Sequence, residues 1–141
     1  MMIPVLSIIL ATIFGLLGFI HFYWSFGKTW GLDITIPTTL SGDRVLRPKK
    51  LDCALVGLGL SLCSLFYLKL SGLIDFEISS TSIKVVSWII PVIFILRAIG
   101  DFKYVGYFKK IKNTSFGIAD SKIFTPLCLI IGAIGIIIQI L

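Results

Sequence analysis

The sequence predicts an all-α integral membrane protein, a four-helix bundle with both termini on the same side of the bilayer. Three observations predict it. Hydrophobic residues make up 57% of the 141 and charged residues 14%, against about 45–50% and about 25% in soluble domains. The apolar residues gather in four long runs, with most charges between them. Within the runs there is no alternation: Ile130-Ile131 and Ile136-Ile137-Ile138 break the two-residue period of a transmembrane strand. A water-soluble bundle of this length could not cover so much apolar surface, because small domains keep a large surface for their volume. A bilayer solvates that surface from outside, and a helix satisfies its own backbone there.

The chain reads as one transmembrane domain, residues 1–141, with spans at about 3–26, 51–70, 83–100 and 123–141. The first run, Ile3 to Phe26, exceeds the ~20 residues that cross a ~30 Å hydrocarbon core. Pro4 stands at a first-turn position, where its missing N–H does no harm. No Lys or Arg precedes this run and no small-residue cleavage site leads to a polar start, so it reads as a retained span rather than a signal. The second run, Leu51 to about Leu70, carries Asp52 and Lys69 at its edges. The third, Ile83 to about Gly100, contains Arg97; three spans plus a re-entrant segment is the fallback for a third run too short to cross. The fourth, Ile123 to Leu141, is uncharged, and Asp120 with Ser121 is placed to cap its start. Pro91 and Pro126 are expected to kink the third and fourth spans.

Small residues mark contact faces. Ala11 and Gly15, Gly57 and Ser61, and Gly132 and Gly135 let backbones approach closely. The favoured use is contact within one chain, with a homodimer as the alternative.

The net charge of +6 resides in the connections. Residues 27–50 carry Lys28, Arg44, Arg47, Lys49 and Lys50; residues 101–122 carry Lys103, Lys109, Lys110, Lys112 and Lys122. Between the second and third spans stand Lys69 and Lys84, alongside Asp75 and Glu77. Positive loops stay in the cytoplasm, so loops 27–50 and 101–122 are expected there, with the termini outside. This distribution suits membrane lipid as the partner and argues against nucleic acid, whose binders cluster their bases on one water-facing stripe. Phe22, Tyr23, Trp24, Phe26 and Trp30, and later Phe102, Tyr104, Tyr107 and Phe108, form the aromatic belt of that same end. The segment Asp101 to Lys110 mixes lysines with aromatics, but its lysines do not keep to one side of a helix. Cys53, Cys63 and Cys128 lie in apolar runs without a C-x-x-C pair, as small buried thiols.

Four ionisable residues fall inside the apolar runs or at their edges: His21, Asp52, Arg97 and Asp101. A charge at mid-membrane costs roughly 2.5–3.5 kcal/mol on insertion scales, so each should have a partner or a watery cavity. All four belong to the cytoplasmic half. Arg97 and Asp101, four apart, share a helix face and are expected to pair. His21 reads first as a hydrogen-bonded core histidine and second as a proton carrier. It has no second His at ligand spacing, and the carboxylates are too scattered for a di-metal site, so neither metal nor cofactor is expected.

Two stretches, His21-Phe-Tyr-Trp24 with Trp30-Gly31, and Leu96-Arg-Ala-Ile-Gly-Asp-Phe-Lys-Tyr-Val-Gly-Tyr-Phe-Lys109, carry a resemblance. The chain resembles a family of small bacterial membrane proteins known as a domain of unknown function. The resemblance covers nearly the whole chain and implies a four-span protein of a bacterial cell membrane. It implies no activity. The family's recurring residues match His21, Trp24, Arg97, Gly100, Asp101 and Tyr104 here.

The leading function is therefore a multi-pass membrane protein holding a lipid-like or amphipathic small molecule in a cytoplasm-facing pocket. His21, Trp24, Trp30, Asp52, Arg97, Asp101 and Tyr104 are its candidate ligand-binding residues, with Arg97 on an anionic head and the aromatic faces on an apolar body. The alternatives are a lipid isomerase or transferase using His21 or Asp101 for proton transfer, and a small transporter or complex subunit.

Overall fold

The computed structural model describes all 141 residues. It is all-helical, with four helices long and apolar enough to cross a membrane: α1 (Met2–Ser25), α2 (Lys50–Ser71), α3 (Ser80–Ile99) and α4 (Ser115–Ile140). The shortest, α3, has 20 residues, about 30 Å at 1.5 Å per residue, so it reaches across without help from a re-entrant loop. Only 28 of the 141 residues are buried. The outward surface carries Leu16, Phe19, Leu55, Ile93 and Leu96, all exposed, which is a surface that suits lipid rather than water.

The helices associate as two pairs, α1 with α2 and α3 with α4, joined by a smaller contact between α1 and α4. Small residues make the first pair close. A Cβ added to Gly18 would lie 2.9 Å from Ser61 Oγ and 3.2 Å from the Gly57 carbonyl. The Ser64 hydroxyl donates to the Ala11 carbonyl at 2.7 Å, an interhelical bond that a bilayer leaves without competition from water. In the second pair Gly132 sits against Ile95 and Gly135 against Pro91. The small-residue positions read from the sequence thus serve contacts within the chain. Between the pairs lies a core of Leu10, Phe14, Tyr67, Ile90 and Ile131 with their neighbours, in which Phe14 stacks on Tyr67 and meets Phe94 edge-on.

The start of the fourth span differs from the sequence reading. Asp120 does not cap the fourth helix: Thr114 does, accepting from the Gly117 N–H at 3.0 Å. Asp120 instead opens a π-turn, Asp120–Phe124, inside α4. Pro126 explains the widening, because a proline ring clashes with the carbonyl four residues back and donates nothing to it. There, the Thr125 N–H reaches back five residues to the Asp120 carbonyl. The stretch after α3 forms no helix at all.

Candidate functional site

That stretch builds one side of the site. Gly100 ends α3 at φ +87°, and a Cβ there would fall 1.7 Å from the Val105 carbonyl oxygen. Gly106, at φ +89°, approaches the Ile99 carbonyl in the same way. No other residue type allows two backbones to touch like this. Asp101 closes the turn: its Oδ1 accepts the N–H groups of Lys103, Tyr104 and Val105 at 2.9, 2.7 and 2.9 Å. Burial raises the Asp101 carboxyl, but these backbone donors outweigh it and hold the group below its ordinary value.

The turn delivers Gly106 and Lys109 to Asp120. Asp120 has no exposed surface. Its Oδ2 takes the Gly106 N–H at 2.8 Å and the Thr125 hydroxyl at 3.2 Å, with Lys109 Nζ at 3.0 Å. Its Oδ1 takes Arg97 Nη2 at 2.8 Å. Lys109, whose side chain is 1% exposed, also donates to the Gly106 carbonyl and to Ser121 Oγ at 2.7 Å. The partner of Arg97 is thus Asp120 and not Asp101, which the tight turn commits to its own backbone. Four groups from two helices and a loop satisfy one buried carboxylate, the condition under which a buried ion pair is tolerated.

Beside this cluster, at the same end of the bundle, a cavity of about 490 Å³ opens between the helix pairs. α1 contributes Leu17, His21 and Trp24, α3 contributes Phe94 and Arg97, and α4 lines it from Phe116 to Ile131. Trp30 and Ile34, on the α1–α2 connection, roof it. The roof is fastened to the wall, since Trp24 Nε1 donates to the Trp30 carbonyl at 2.8 Å, and the short 3₁₀ turn Leu32–Ile34 meets the first turn of α4. His21 Nδ1 donates to the Leu17 carbonyl at 2.7 Å. A carbonyl only accepts, so the proton is on Nδ1 and Nε2 is left without a protein partner. The His21 ring also meets Trp24 edge-on, with centroids 5.0 Å apart.

Of the seven candidate site residues, His21, Trp24, Trp30 and Arg97 meet around this cavity. Asp52 stands in an adjoining concavity of about 170 Å³ with His21 and Trp24, and its carboxylate accepts the Lys49 N–H at 2.7 Å, tying off the start of α2. Asp101 and Tyr104 belong to the turn after α3 and do not line the cavity. Asp120 and Lys109 were missed: the first read as a helix cap and the second as a loop charge. The available signal was Gly100 and Gly106 flanking Asp101, a spacing that folds the chain back. No three His, Cys, Asp or Glu side chains come together anywhere, so no metal-ligand set is present.

The family described as a protein of unknown function, DUF3995, matches residues 14–135. The chain belongs to that family. The match takes in both halves of the site, from His21 to Ile131. No curated protein and no solved structure matches the chain.

Proposed function

We propose that this is a multi-pass protein of a bacterial cell membrane that holds a lipid-like or amphipathic small molecule between its two helix pairs. The cavity carries the reading. Its walls are aromatic and aliphatic, its volume is in the ~300–1,000 Å³ range of small-molecule sites, and Arg97 supplies a charged group at one end. Two other concavities lack that combination. One of about 710 Å³ follows the exposed connection from Lys69 to Ser79; another of about 630 Å³ is lined by apolar residues alone, as an acyl-filled groove would be. Native mass spectrometry of gently extracted protein tests the reading. A bound species of defined mass is expected, and a bare chain at every extraction condition counts against it.

The site end faces the cytoplasm in this proposal, with loops 27–50 and 101–122 inside and the termini outside. The excess of Lys and Arg at that end supports it. A membrane-impermeant amine reagent should leave Lys110 unlabelled in intact cells and label it after lysis; labelling of Lys110 in intact cells reverses the orientation.

A further inference from the structure

The charge around Asp120 does not balance. Arg97 and Lys109 bring two positive charges to one carboxylate, leaving a surplus of one beside an apolar cavity. The other acids of this end are occupied elsewhere, Asp101 with three backbone N–H groups, Asp52 with the start of α2, Asp33 with Arg44 and Asp43 with the Ser41 hydroxyl. Lys109 spends its donors on Asp120, Gly106 and Ser121. Arg97 does not: it lines the cavity, 31% exposed, its Nη2 is engaged, and its Nη1 is shielded from solvent with no partner. A guanidinium offers five donors in a planar fork suited to carboxylate and phosphate oxygens.

We propose that the cavity takes an amphipathic anion, its carboxylate or phosphate head against Arg97 and its apolar body between the helix pairs. This rests on the amphiphile reading above and adds the sign of the head. A single negative head cancels the surplus charge. A neutral head leaves the surplus uncompensated beside lipid, and a cationic one doubles it.

The test compares heads on one ten-carbon tail, using wild-type protein in bilayer discs of neutral phosphatidylcholine. Binding of ω-brominated decanoate is read by quenching of tryptophan fluorescence, then competed with decanoate, decyl phosphate, decanol and decyltrimethylammonium. The two anions should compete about tenfold or more better than the alcohol or the ammonium. The stronger of the two anions tells a fatty-acid-like source from a phosphoryl one. Arg97→Gln should weaken the anions about tenfold and abolish the preference over decanol, with Arg97→Lys restoring part of it. Equal competition by decanol overturns the anionic head while leaving an amphiphile site. No binding by any member of the series overturns the site itself.

Discussion

At one end of the bundle Lys69 meets Asp75, whose side chain is 90% exposed; at the other, Arg97 and Lys109 meet Asp120, of which nothing is exposed. The first pair sits where water already solvates the carboxylate, so its formation changes little. The second replaces hydration altogether, with two cations, a backbone N–H and a hydroxyl around one carboxylate. An acid beside a membrane helix is ordinary at one end and holds the structure together at the other. Surroundings, not residue type, decide between them.

The comparison breaks most directly by removing each acid in turn. Asp120→Ala leaves Arg97 and Lys109 without a counter-charge and should destabilise the protein by about 3–5 kcal/mol, seen as a lowered midpoint of unfolding in detergent. Asp75→Ala should leave that midpoint unmoved. Equal effects from the two substitutions erase the distinction drawn here.

A smaller effect sharpens it. The Asp101 carboxyl is held below its ordinary value of 3.8, burial raising it and the N–H groups of Val105, Lys103 and Tyr104 more than compensating. A folded value below the unfolded one means stabilisation that is complete above 3.8 and lost as pH falls through the folded value. Amide exchange at residues 103–105, corrected for intrinsic rate, should stay slow from neutral pH down to about pH 4 and accelerate below it. Asp101→Ala should show the fast exchange already at neutral pH; unchanged protection in that variant removes Asp101 from its place as the closure of the turn.

Helix number and small-residue contacts were legible because each depends on local composition. Leu16 or Ile93 faces lipid wherever its neighbours lie, and Gly57 with Ser61 marks close approach by size alone. The start of α4 was less legible. Asp120 and Lys122 look like the edge of a water-filled loop, and only a cation 23 residues earlier, Arg97, makes Asp120 tolerable inside the bundle. Pairing Arg97 with Asp101 followed the rule for neighbours on one helix, but Gly100 ends that helix and turns Asp101 onto its own backbone. For the site, His21, Trp24, Trp30 and Arg97 were legible as unusual residues near one end of their runs. Asp120 and Lys109 were hidden because their significance is a relation across the chain.

The counter-charge for Arg97 also comes late in synthesis. α3 with its arginine, then the stretch carrying Lys109, leave the ribosome ahead of residue 120. Until then two cations at the edge of the bilayer have only water and headgroups to answer them. The fourth helix therefore brings the anion that lets the preceding loop sink into the bundle, and closure of that end waits on it.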